Sequence, residues 1–143
     1  MNDKYELIKC KEYPRFFRIK ALKDFGDVKK GDIGGIVQGE RNLSKFHNCW
    51  IYNDAMVTER SVIAGNAKIM NNAQVTCSSI VYGNAKIYGN CKLFDHPIIN
   101  DAVEIFGKAV ITGYVNISGG VRIYGDASVF GKGDISGVFD IYA

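Results

Sequence analysis

Residues 63–94 read Ile63-AGNAKIMNNAQVTCSSIVYGNAKIYGNCKL-Phe94, and within this stretch an aliphatic residue returns at every sixth position: Ile63, Ile69, Val75, Val81, Ile87 and Leu93. Extended outward, the register runs without a miss from Ile51 to Ile141. A fixed short period of this kind marks a solenoid, in which each turn buries its apolar side on its neighbours. Two residues before each aliphatic position lies a second set, mostly small: Cys49, Ala55, Ser61, Ala67, Ala73, Ser79, Ala85 and Cys91 in the first half of the run. Alternate residues of a strand share a side, so the small and the aliphatic residue both face inward and their neighbours face out. The next two positions carry turn chemistry, as in Gly65-Asn66, Gly83-Asn84, Gly89-Asn90 and Gly125-Asp126. Gly and Asn accept the positive φ that a tight corner needs.

Residues 49–143 therefore resemble the hexapeptide-repeat, left-handed parallel β-helix family. The resemblance implies an all-β fold in which three strand-and-corner sides close into a triangular coil of eighteen residues, giving about five coils around a filled core. It also implies the handedness, which the period does not supply. Residues 1–48 show no six-residue period. Their β-rich segments, Tyr5 to Cys10, Phe16 to Leu22 and Ile33 to Gln38, are punctuated by Pro14, Gly26, Gly31 and Gly34-Gly35, which predicts a small β-rich cap at 1–48 preceding the β-helix at 49–143. A cap of this kind covers the unpaired backbone edge of the first coil.

Composition narrows the function classes. At 143 residues with 47% apolar content the chain reads as globular, and no apolar run approaches the roughly 20 residues of a membrane helix. The opening MNDKYELIKC lacks the apolar core of a signal peptide, so the expected location is cytoplasmic, away from membranes. The four cysteines show no metal-ligand spacing, and Cys49 and Cys91 fall on inward positions, where they read as small core residues. Residues 1–48 carry eleven Lys and Arg against seven Asp and Glu, and the remainder seven against eight. The basic residues are interleaved with acids, a pattern of solvated surface, with a nucleic acid or nucleoprotein contact as the alternative.

Splitting the repeat by eighteen separates three faces. On the first face the outward column after the aliphatic position reads Tyr52, Met70, Tyr88, Phe106, Tyr124, Tyr142, and the neighbouring column reads Trp50, Lys68, Lys86, Glu104, Arg122, Asp140. An aromatic stripe with a charged border has the composition of a protein contact surface, for self-association or for a partner. On the face of Ile63 the outward residues Val62, Ile80 and Ile98, with Tyr82 beside them, are apolar where Asn116 and Asp134 are polar. That gradient predicts that the cap folds back over the early coils and covers Val62, Ile80, Tyr82 and Ile98.

Many hexapeptide-repeat proteins are acyltransferases with a His general base in a cleft between subunits, often beside an inserted loop, and the related γ-class carbonic anhydrases bind zinc through three His. This chain has only His47 and His96, too few for that zinc site, and no cofactor motif. His47 precedes the repeat and reads as a cap contact. His96, in Asp95-His96-Pro97, is the candidate for a general base. The register runs through it without insertion, so a rigid variant corner is the competing reading. A second resemblance covers FRIKALKDFGDVKKGDIGG at Phe17 to Gly35, Asn42-Leu43-Ser44, and Asn48-Cys49-Trp50-Ile51-Tyr52. These segments look like the opening of small phage and prophage proteins whose remainder is runs of AxVxGN hexads, and of an enterobacterial protein classed as an acyltransferase. The expected function is that of a non-enzymatic, phage-type protein-binding module. It is expected to form homo-oligomers and to inhibit a host defence system in the manner of an anti-CRISPR protein. An acyl-CoA-dependent acyltransferase and a structural component of a phage or host assembly are the alternatives.

Overall fold

The computed structural model describes residues 2–143. From Trp50 onward short strands repeat with the hexad, and each pairs in parallel with the strand eighteen residues on: Trp50 with Lys68, Lys68 with Lys86, Lys86 with Glu104, Glu104 with Arg122, and Arg122 with Asp140. The same step joins Met56–Val57 to Gln74–Val75 on the second face and Val62–Ile63 to Ile80–Val81 on the third. The inward residues fill the centre. Ile51, Ile69, Ile87, Ile105 and Ile123 are all fully buried, as are Cys49, Ala55, Ala67, Ala85 and Cys91, so the interior is a packed core and not a channel. Each such aliphatic residue contributes roughly 1.5–3 kcal/mol before the entropy of ordering is subtracted.

The corners follow one rule. The first of the two corner residues has positive φ at every turn from Asn53 to Gly137, including Glu59 at 58° and Cys77 at 64°. Gly occupies most of these corners because it adopts positive φ without strain, and Asn53, Asn71, Asp95 and Asp101 take others because Asn and Asp accept that region best after Gly; the chain tolerates Glu59 and Cys77 there because the flanking strands fix the bend. The chain is a parallel β-helix of about six turns, one more than the period alone suggests.

The additional turn comes from the cap. Its strands β1 (Tyr5–Lys9), β2 (Phe17–Ala21) and β3 (Ile33–Val37) form an antiparallel meander. β3 then lies parallel to Met56–Val57, with Val37 opposite Val57, and Leu43 bridges to Ile63. Stacking thus begins at Val37 and Leu43, upstream of residue 49. Leu43 pairs twenty residues ahead and Trp50 eighteen, so two extra residues are taken up between them, which hides the register in the sequence. The helical content among the described residues is a single 3-10 turn, Glu40–Asn42. No helix there is long and apolar enough to cross a membrane.

The cap sits on the end of the prism and does not fold back over the third face. Val62 is half-buried in a groove beside Tyr5, Leu43 and Phe46, but Ile80 and Tyr82 are each 38% exposed and Ile98 is only partly covered. The expectation of a covered third face is therefore corrected, for a reason of backbone chemistry. The strand N–H and C=O groups of the first coil are satisfied only by another strand laid end-on, whereas the third face asks only for apolar cover.

Lys4 secures the joint. Its side chain is buried, and its ammonium donates to the carbonyls of Cys49 at 2.8 Å, Ser44 at 3.1 Å and Phe46 at 3.5 Å, with the Phe25 ring 5.0 Å away. These carbonyls belong to the segment that absorbs the two extra residues and has no strand partner for them. Burial pushes the Lys4 amine below its ordinary range and raises the Cys49 thiol beside it. Trp50 closes the end, edge-on to Phe25 at 5.3 Å and to Tyr5 at 6.3 Å, and the Tyr5 hydroxyl donates to the Leu43 carbonyl.

Candidate functional site

The first face is built by six parallel strands of two or three residues, so every eighteenth side chain is held one coil above the last. Neighbouring strands lie about 4.8 Å apart, close to the spacing at which flat rings make contact. Tyr88 and Phe106 accordingly stack at 4.8 Å and 2°, Phe106 and Tyr124 at 4.9 Å and 8°, and Tyr124 and Tyr142 at 5.2 Å and 12°. Four rings form one continuous ladder. Such pairs are worth about 0.5–1.5 kcal/mol each beyond the area they bury. Met70 separates the ladder from Tyr52, which is half-buried beneath the cap.

Three of the four phenols are tethered to carboxylates. Tyr52 donates to Asp27 at 2.6 Å, Tyr88 to Glu104 at 2.9 Å, and Tyr124 to Asp140 at 3.0 Å. Burial and the Glu104 carboxylate push the Tyr88 hydroxyl up to about 12. Asp27 is held below the usual carboxylate range by the Tyr52 hydroxyl and by Lys68, 3.2 Å away. Arg122 and then the Tyr124 hydroxyl do the same for Asp140; the guanidinium grips Asp140 through two nitrogens, at 3.1 and 3.0 Å. The rings keep a fixed tilt as a result, and the face presents an ordered aromatic strip edged by charge.

The six stripe residues are thus brought into a single file, with Asp27 of the cap as a partner that the hexad does not reveal. Asp27 sits between Phe25 and Val28, whose backbones pair antiparallel in a tight turn. Only the turn geometry, with Gly26 at φ 51°, projects its carboxylate over the first coil.

His96 lies on the corner between the second and third faces, where Asp95 has φ 68°. The strand Lys92–Asp95 pairs in register with the chain at Val110 to Gly113, and the third-face strand resumes at Ile98. The imidazole stacks on Tyr114 at 4.3 Å and 7°, and it borders a shallow groove with Arg41, Glu59, Arg60, Cys77 and Ser78. Among the described residues no carboxylate hydrogen-bonds to either ring nitrogen; Asp95 instead accepts from the Thr112 hydroxyl. His47 occupies the irregular loop beside Lys23, Lys45 and Phe46, far along the chain from His96 and on a different groove. The two histidines do not converge.

Several basic residues of the cap are engaged internally. Arg18 binds Glu12 at 3.1 Å, Asp54 at 2.8 Å and the carbonyls of Asn53 and Gly34, and Lys4 is buried. The excess positive charge of residues 1–48 serves in part to fasten the cap to the first coil.

No protein-family model matches the chain. The uncharacterized acetyltransferase YdcK of Escherichia coli K12 is 42% identical over 53 residues, which make up 36% of this chain and 16% of that protein. The chain thus spans only a small part of the relative it matches. The six-residue repeat, the stacked parallel coils and this local likeness agree on a hexapeptide-repeat β-helix.

Proposed function

We propose that the protein is a non-enzymatic, phage-type protein-binding β-helix that associates with a second copy of itself through the aromatic face. The observation that supports this reading most directly is the unbroken stack from Tyr88 to Tyr142. Tyr142 is 67% exposed and the rest of the ladder half-buried, so docking removes the remaining apolar surface from water at little entropic cost, the rings being already stacked. Tyrosine-rich centres with charged rims are typical of contact surfaces. The test is the double substitution Tyr88→Asp with Phe106→Asp. Light scattering should show an oligomer for the unaltered protein and the 15.8 kDa monomer for the variant, with the β spectrum kept. An oligomer that survives the substitution, or an unaltered protein that is monomeric, removes this reading.

An acetyltransferase is the second reading, favoured by the local likeness to YdcK and by the placement of His96 beside a groove. General-base catalysis requires the imidazole to reach a substrate hydroxyl or amine within about 3 Å, directly or through one water. Titration calorimetry with acetyl-CoA separates the two readings. The binding-module reading expects no heat of binding up to millimolar ligand. Saturable micromolar binding that His96→Ala leaves intact, with acetyl transfer that it abolishes, establishes the enzyme.

A further inference from the structure

The charged column of the first face has an order that the aromatic ladder alone does not explain. Strand pairing holds Lys86, Glu104, Arg122 and Asp140 in single file, one per coil. Their signs alternate. A column that reads plus, minus, plus, minus is its own complement when it is turned end for end. Laid against a copy at equal height, it sets every charge against itself.

We propose that the first face binds a second copy with the two β-helix axes antiparallel, the two-fold axis crossing the face between Glu104 and Arg122. This rests on the self-association reading above and fixes its geometry. Glu104 then meets Arg122 of the second copy, Lys86 meets Asp140, and the two-fold repeats both pairs. The same operation sets Phe106 against Tyr124 and Tyr88 against Tyr142, so ladder lies on ladder. Moving the axis one coil toward Lys86 opposes Lys68 to Arg122, and placing it on the coil of Glu104 opposes that carboxylate to itself.

Two further observations favour this register. Lys68 lies outside the alternating set and is occupied by Asp27 of the cap at 3.2 Å. Lys86 is exposed and makes no ion pair among the described residues, which leaves it free to join Asp140 of the second copy, a carboxylate that also accepts from Arg122 and Tyr124 of its own chain. The aromatic strip supplies the burial, while the charges select orientation and exclude the parallel alternative.

The experiment compares the unaltered protein with Glu104→Lys, Arg122→Glu and the exchange of both, by sedimentation velocity at low ionic strength. Each single change should raise the dimer Kd by about tenfold or more, because two like-charge contacts replace two attractive ones. The exchange should return it to within about threefold of the unaltered protein, because coupled sites compensate. In a second arm Lys86→Cys and Asp140→Cys, both in a Cys77→Ser background, are treated alone and mixed with a short bismaleimide that bridges thiols on faces about 10 Å apart, the spacing of packed sheets. A cross-linked dimer should form only in the mixture. Position 86 and its own copy are offset by a further three coils along the axis, about 14 Å, beyond the reach of that linker. A dimer that Tyr88→Asp with Phe106→Asp disperses, but that ignores the charge changes or cross-links at Lys86→Cys alone, overturns the antiparallel arrangement and leaves self-association standing. An unaltered protein that is monomeric overturns both.

Discussion

Replacing Lys4 with methionine should lower the unfolding free energy by about 1.5–3 kcal/mol, the range for losing hydrogen bonds made by a charged donor. The three carbonyls held by its ammonium, those of Ser44, Phe46 and Cys49, lie at the cap–coil joint, where they would keep only the weak Cys49 thiol, which reaches Ser44 and Phe46. A buried acceptor stranded in this way costs about 1–3 kcal/mol. Methionine retains most of the packing of the side chain, so the loss reports the ammonium and not a cavity. The readout is urea unfolding followed through the single tryptophan. Trp50 packs edge-on to Phe25, the ring beside the Lys4 ammonium, and should change its native emission as well. Amide exchange should quicken at residues 44–49 and hold steady at Ile87 and Ile105. A stability change below about 1 kcal/mol would show that the loop carbonyls find other donors, and would end the claim that Lys4 secures the joint.

Lys4 also marks where reading the sequence stops. The repeat is legible because every coil must bury an aliphatic and a small residue at fixed positions, so the same pattern returns whatever the local neighbours are. The aromatic ladder is legible for the same reason: a period of eighteen places Tyr88, Phe106, Tyr124 and Tyr142 on one line before any ring distance is known. Lys4 has no such signature. Its acceptors lie 40 to 45 residues along the chain, and a lysine four residues from the start of a basic segment looks like surface. Val37 and Leu43 keep the six-residue spacing, but the two residues inserted before Trp50 shift them out of phase, so the helix appears to begin later than it does. The third face misled for a different reason. Val62, Ile80 and Ile98 are apolar, and apolar outward residues suggest cover, yet β3 takes the coil end instead. Backbone hydrogen bonds, which composition does not record, decide where the cap goes.

The choice of the coil end makes Gly35 the second position of large effect. β3 crosses the first coil so closely that a Cβ on Gly35 would lie 2.4 Å from Cγ2 of Ile51 and 2.6 Å from the carbonyl oxygen of Ala55. At Gly34 it would lie 2.5 Å from the carbonyl oxygen of Ile51. Two of these three neighbours are backbone atoms of the first coil, and Ile51 is fully buried, so none can move without parting β3 from the strand it pairs. Gly35→Ala should therefore cost about 3 kcal/mol, the upper part of the range for overpacking a core. Gly39→Ala is the control. It lies four residues on with an extended φ of −172°, and a Cβ there meets only the flexible end of Arg41 at 3.3 Å, so the change should stay within about 0.5 kcal/mol. Hydrogen exchange distinguishes the mechanism from general loosening. If close approach of β3 is what matters, Gly35→Ala should release protection at Ile36 first, because the Ile36 amide donates to Ala55 across the seam, while the Met56 amide, which donates to Ala73 of the next coil, should hold. Protection from Ile69 to Ile123 should persist until global unfolding, since those strands are held by their own neighbours eighteen residues away. A variant no less stable than Gly39→Ala would mean that the cap rides farther from the first coil than these contacts require, and Val37 and Leu43 would then not belong to the stack.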